Sequence, residues 1–330
     1  MLRSIRPAAL SILLLLLLSA LTWAQAAPEI GVTRSTKNPS QIAILHWYDA
    51  NLTTTFSVGN GPMWMAFDGA DLWVANFFDN SVTKLQPSTG KVLGTFAVGS
   101  GPQGVAFDGA NVWVTNLTGD SVTKLRASDG KVLGTFALAS GATPWGVAFD
   151  GANIWVVNNV FPGVTNASVT KLRASDGKVL GTFPVGMGPT GVAFDGANVW
   201  VANSGGNSVT KLRASDGKVL GTFDLGGAYG VAFDGANIWV TGGNSVTKLR
   251  ASDGRVLGTF AVGALPRGVV FDGSNIWVAN AASGSVTKLR ARDGKLLGTF
   301  DMGSEVEGMA FDGTNIWVSH GGPYRTISKL

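Results

Sequence analysis

The chain has 330 residues, of which 45% are hydrophobic and 14% charged, and it contains no cysteine. Its 25 basic residues exceed its 21 acids by four, and the lysines are spread along the sequence rather than clustered. Disulfides, thiol chemistry and a lipid-modified cysteine are thereby excluded, and a nucleic-acid stripe or polybasic membrane patch is disfavoured.

The first 27 residues read as a secretory signal. Arg3 and Arg6 precede an apolar run from Ala8 to Leu21, and Ala24-Gln25-Ala26 supplies a small-residue cleavage site. The run is shorter than the roughly 20 residues a membrane span needs. Cleavage would leave an exported protein, periplasmic or extracellular, with no membrane attachment and two excess basic residues. Residues 28–40 read as a short linker.

From residue 41 onward the chain repeats itself with a period of roughly 40 residues, the mark of a stacked or radial β array. Seven FDG triplets carry Asp68, Asp108, Asp150, Asp195, Asp234, Asp272 and Asp312. In the second copy, Pro102–Phe107 is expected as strand A, and Asp108-Gly109-Ala110-Asn111 turns it into strand B, VWVTN. Ser121–Leu125 is strand C, and the Ser128-Asp129-Gly130 turn leads into strand D, KVLGTFAVG. Asp-Gly between β-branched runs is a hairpin signal because glycine accepts positive φ. Four antiparallel strands per unit make a propeller blade, so residues 41–330 are expected to form one all-β, seven-bladed β-propeller.

A turn centred on Gly109-Ala110 sets the register: Phe107 against Val112, Val105 against Val114, Gln103 against Asn116. On the other face Ala106 lies against Trp113 and Gly104 against Thr115. A small residue thus sits opposite Trp73, Trp113, Trp155, Trp200, Trp239, Trp277 and Trp317, leaving room for each indole to pack on the next blade as core. Seven D strands carry Phe56, Phe96, Phe136, Phe183, Phe223, Phe260 and Phe300. The first, Asn51–Val58, precedes the first A strand, while the chain stops at a C strand, Thr326–Leu330. The N-terminal strand can therefore complete the last blade and leave no open edge. Gln41–Leu45 also aligns with strand C, so two segments compete for that slot.

GVAFDGANVWVTN followed by SVTKL and KVLGTFAVG resembles the Tyr-Val-Thr-Asn-type (YVTN) bacterial propeller repeats, whose members are mostly extracytoplasmic or surface-layer proteins. It is similar, more distantly, to the propeller of virginiamycin B lyase. The resemblance covers the chain from about residue 41 and implies architecture more than chemistry.

The A–B and C–D turns barely vary between copies, whereas the B–C loops differ: FFDN, LTGD, NVFPGVTNA, SGGN, GGN, AASG and HGGPYRT. Variation collected on one face of a constant scaffold suits a binding surface. Before the glycine of each A strand stand Met63, Gln103, Trp145, Thr190, Tyr229, Arg267 and Glu307, expected to ring the top mouth of the central channel. Each is expected opposite the last residue of strand B: Asn76, Asn116, Asn158, Asn203, Gly242, Asn280 and His320. Trp64 replaces the usual glycine and adds an aromatic at the rim. Such a ring suits a small polar ligand or a protein partner.

Catalytic motifs are scarce. GSGPQG (Gly99–Gly104) and GMGPTG (Gly186–Gly191) match a dinucleotide pattern, but a strand follows them and no helix N-terminus is there for phosphate. The repeated Asp-Gly pairs match no calcium loop. His320 opposite Glu307, with Tyr324 and Arg325 in the same loop and Arg267 one blade away, is the best general-base constellation. The resemblance to the lyase implies histidines, an acid and a magnesium ion on that face, and one His–Glu pair does not reproduce them. The expected protein is a monomeric, non-catalytic binding propeller without cofactor, metal site or nucleic-acid partner. The alternative is a divalent-cation-dependent lyase or lactonase.

Overall fold

Seven four-stranded antiparallel sheets account for nearly all of the computed structural model over residues 54–159, 167–303 and 305–330, which are the residues described. Six sheets are meanders, each running from an inner strand A through B and C to an outer strand D. In the second blade these are Pro102–Phe107, Asn111–Asn116, Ser121–Arg126 and Val132–Ala137. The seven A strands touch one another in sequence and the last touches the first, so they close a ring around a central channel.

Closure is made by the N-terminal strand. Thr55, Phe56 and Ser57 pair with Ser328, Ile327 and Thr326, and the last sheet places Thr326–Lys329 between this strand and Ile316–His320. The C-terminal segment thus fills the contested C position. Gln41–Leu45 lies outside the described residues, as do the segments expected as signal sequence and linker and residues 160–166 of the longest loop.

Each repeat constant has a mechanical role. Asp108 Oδ1 accepts the backbone N–H groups of Ala110 and Asn111, shaping the turn, while Oδ2 accepts the indole N–H of Trp113 at 2.7 Å. Burial would push this carboxyl up, but the indole, the backbone amides and Asn111 outweigh it and hold it below its usual range. Repeated Asp-Gly is therefore turn chemistry with an added duty as the acceptor for a buried indole. The tryptophans are buried, and each packs on the neighbouring blade: Trp73 shares a core cluster with Val105, Val112, Val114 and Leu125. Ala106 lies opposite Trp113 and Val105 opposite Val114, as the turn-centred register requires.

The lysine of SVTKL joins the blades. Lys211 is buried, its Nζ donates to the Ala251 and Ser252 carbonyls of the next blade, and it sits 5.0 Å over the Trp200 ring. Burying an ammonium is tolerable because its hydrogen bonds and the indole face replace water. The phenylalanine of each D strand packs on its own blade's tryptophan, and all but Phe300 also reach the next blade's C–D turn. A Cβ on Gly130 would lie 2.1 Å from the Phe96 ring, and that glycine has φ of +73°, so no other residue fits there.

Candidate functional site

The A strands depart from the expected register at one place, and that departure builds the channel mouth. Pro102, not Gln103, lies opposite Asn116, and a bulge separates Pro102 from Val105. The same shift occurs in blades 1, 3, 4, 6 and 7. Gly104 gives its N–H to the Thr115 hydroxyl at 2.7 Å, and Thr115 donates in turn to the Trp145 carbonyl at 2.6 Å. The ladder thus slips by one residue where the backbone must meet the next blade. A Cβ on Gly104 would stand 2.4 Å from that carbonyl, which explains the glycine. Six of the seven variable residues are consequently the bulged ones, released from direct cross-strand pairing, and in blade 5 Tyr229 precedes the short strand Val231–Phe233.

Five of them meet around the mouth. The Trp145 and Tyr229 rings are edge-to-face with centroids 6.5 Å apart, although Thr190's blade lies between them. Thr190 donates to the Tyr229 carbonyl at 2.8 Å. The Arg267 guanidinium lies 5.7 Å from the Tyr229 ring centroid and forms an ion pair with the buried Glu307 carboxylate, with Glu305 at 3.7 Å. Burial pushes the Tyr229 phenol up against the opposing pull of Arg267. Gln103 is buried on the neighbouring blade, and Met63 is half-buried at the same position of blade 1. Trp64 lines a narrow cavity of about 70 Å³ in the bore, with Met65, Val105, Val147 and Thr190.

The expected His320–Glu307 pairing is corrected by the same bulge. Val306 stands opposite His320, and the Glu307 carboxylate goes to Arg267. His320 Nε2 lies 2.7 Å from Ser328 Oγ. In blade 1 the residue at this strand end, Asn76, donates to Thr83 Oγ1 at 2.9 Å, and Thr83 occupies the register of Ser328. His320 therefore sits at a position that in other copies ties strand B to strand C. Burial pulls its pKa below the usual value, favouring the neutral ring. Tyr324 and Arg325 are exposed at the rim, with the Tyr324 ring 6.5 Å from that of His320 and Arg325 4.0 Å from Asp79. Among the described residues no three His, Asp or Glu side chains come together as a metal site.

Sequence reasoning missed three mouth features: the bulge, Glu305 beside Arg267, and the buried polar atoms without a protein partner. The last include Gln103 Oε1, Trp145 Nε1 and Arg267 Nε, beside the Oδ1 atoms of Asn76, Asn116, Asn158 and Asn203 at the ends of strand B. Only the first left a trace in sequence, the threonine or serine at positions 115, 241 and 319, each of which accepts the glycine N–H.

Comparison with known proteins agrees on architecture. Residues 150–310 match the family model described as outer membrane protein assembly factor BamB. No curated protein matches the chain. Hydrazine synthase of Kuenenia stuttgartiensis is similar in structure, with a TM-score of 0.71 and 19% identity over 82% of this chain and 95% of that one. A streptogramin B lyase structure is similar with a TM-score of 0.70 and 17% identity over 83% of this chain and 95% of the other. At these identities the likeness is one of fold. The chain carries a propeller-type repeat similar to that of the BamB-type model over residues 150–310.

Proposed function

We propose that this protein is an exported, non-catalytic propeller of the Tyr-Val-Thr-Asn repeat type that holds a small polar ligand or a partner at the channel mouth. The observation that carries the reading is the continuous layer Trp145–Tyr229–Arg267–Glu307, which spans blades 3 to 7 through direct contacts. Four unlike side chains converge at one repeat position of strands that otherwise hardly differ. Packing alone would have accepted the same residue in every blade, whereas recognition calls for different groups around one opening.

Residues 1–27 are proposed as the signal sequence and 28–40 as a linker to a monomeric propeller of residues 41–330. The match to a model described as an outer membrane protein assembly factor supports an envelope location. A lyase or lactonase with a His320–Glu307 pair is the weaker reading, because the hydrogen bonds of both residues run elsewhere.

The test is a thermal-shift and calorimetric screen of small molecules on the mature protein, repeated on the double variant Arg267→Gln, Glu307→Thr. Both replacements occur at this position in other blades. The reading expects a ligand of the native protein to lose affinity in the variant by about 1.5–3 kcal/mol per charged contact. Unchanged affinity would move the site away from the mouth.

A further inference from the structure

The basic residues are sorted by face. Among the described residues every lysine and arginine except Arg267 and Arg325 lies at the end of the blades that carries the A–B and C–D turns, away from the channel mouth. The mouth end holds the acids Asp79, Asp120, Asp224, Asp301, Glu305 and Glu307. Lysines scattered evenly in the sequence are thus gathered by the fold, because a spacing of one repeat puts each at the same corner of successive blades. The acids of the turn face are already engaged. The FDG aspartates, such as Asp195, hold an indole and backbone amides. Those of the C–D turns pair with the arginine three residues before them, as Asp176 does with Arg173. Left over are the cations that open the D strands: Lys91, Lys131, Lys178, Lys218, Arg255 and Lys295. All six are exposed, and none forms an ion pair among the described residues.

Each of these cations is followed by two apolar residues that stay in water: Val132-Leu133 in blade 2, Val179-Leu180 in blade 3, Val219-Leu220 in blade 4, and their counterparts in blades 1, 5 and 6. They are 40–55% exposed, and a bulge opposite Lys124 and Leu125 leaves Leu133 without a cross-strand partner. Between blades 5 and 6 the same face opens into a cleft of about 480 Å³ lined by Lys248, Arg290 and Arg292, while Asp234 in its wall already accepts the Trp239 indole N–H. Arg292 stands where blades 2 to 5 carry serine.

Unpaired cations spread over six blades of one face are engaged together only by an extended anionic surface. The aliphatic pairs decide its kind. A nucleic acid or a soluble polyanion would leave them in water, whereas the boundary between lipid headgroups and acyl chains takes cation and aliphatic side chain together. A second copy of the chain fits worse, because the mouth-end acids offer no matching ring: Asp120 is held by the N–H groups of Gly141 and Thr143, and Glu307 by Arg267. We propose that the turn face docks on an anionic lipid surface, with the D-strand cations on headgroup phosphates, the Val–Leu pairs in the boundary region and the channel mouth turned to solvent. The acids of the mouth end favour that orientation, since the same surface repels them.

The experiment is co-sedimentation of the mature protein with vesicles of phosphatidylcholine alone, and of phosphatidylcholine mixed with phosphatidylglycerol, over a range of salt. The expected result is binding to the mixed vesicles only, weakening as salt rises. Lys131→Gln, Lys178→Gln and Lys218→Gln together should weaken it about tenfold or more, with the native melting temperature kept. Leu133→Ser, Leu180→Ser and Leu220→Ser together should weaken it as well. The mouth variant Arg267→Gln, Glu307→Thr leaves the net charge as it was and should bind vesicles like the native protein, which separates this docking from ligand binding at the mouth. Equal binding to both vesicle types, binding to neither, or binding that survives the lysine variant would overturn the proposal, and survival is also what an uncleaved leader would produce. Vesicle binding untouched by the leucine variant would overturn it too, since a purely electrostatic contact needs no lipid boundary. Binding of inorganic polyphosphate without vesicle binding would put a soluble polyanion in its place. Concentration-dependent association at low salt, again without vesicle binding, would make a second copy the occupant.

Discussion

The indole Nε1 of Trp200 donates to Asp195 Oδ2 at 2.7 Å, five residues back across the A–B turn. Asp195 Oδ1 meanwhile accepts the N–H groups of Ala197 and Asn198, so one carboxylate sets the turn and orients the largest core side chain. Asp195→Ala removes both functions and leaves a buried indole N–H unsatisfied. A loss of about 1–3 kcal/mol is expected in chemical denaturation, and an unchanged midpoint would show the anchor to be idle.

Acid should unfold the protein through these same groups. Burial pushes Asp108, Asp150, Asp195, Asp234, Asp272 and Asp312 upward, but their hydrogen-bond donors outweigh it and the net shift is down from 3.8. A folded-state pKa below the unfolded one contributes stability that is complete above the unfolded value and lost as pH falls through the folded value. Melting temperature should therefore hold from neutrality down to the unfolded aspartate range and drop below it. A curve still flat at pH 2 would contradict this.

Trp200→Ala should cost about 3–5 kcal/mol, as large-to-small core changes do, because the indole fills the space against Ile238, Val240 and Leu249 of the next blade. Ligand binding at the mouth should be little affected in the folded fraction. Lost binding with unchanged stability would reassign the tryptophans from core to site.

Removing residues 28–59 takes away the strand that pairs with Thr326–Ser328 and uncovers Trp317, whose ring lies 5.2 Å from that of Phe56. The exposed strand edge should drive association or a large fall in melting temperature, read by light scattering and calorimetry. A monomeric truncation with the native melting temperature would refute the closure.

His320→Asn installs the residue that blades 1, 2, 3, 4 and 6 use at this strand end. Stability should change by no more than about 1 kcal/mol, since Asn76 shows that an amide can reach the hydroxyl at this register. Ligand binding should persist too. In the native protein the imidazole should titrate below 6.5 by NMR, because burial disfavours its charged form. A collapse of function in the variant would restore a catalytic role to the ring.

Arg267→Gln alone strands the buried Glu307 carboxylate and should destabilise by about 1–3 kcal/mol, whereas adding Glu307→Thr should recover most of that loss. Equal melting curves for the single and double variants would mean that the ion pair does not hold the mouth.

Blade number, strand limits and the tryptophan core were legible in the amino-acid sequence because all three rest on local rules repeated seven times. Asp-Gly turns fix the hairpins, period-two alternation sorts the faces, and counting D strands exposes the missing edge that Phe56 fills. The choice of Thr326–Lys329 over Gln41–Leu45 for the last C strand was not local, since both segments satisfy the same pattern. Nor was the mouth. Parity counted from Gly109 carries correctly to Val105 and then fails, because the bulge at Gln103 and Gly104 is set by the approach of the next blade's Trp145 carbonyl. That one-residue slip turns Glu307 from His320 toward Arg267, a partner 40 positions away. Turn and strand propensities act over a few residues, whereas the pairing of bulged side chains depends on how seven separate sheets close on one another, which only the folded ring decides.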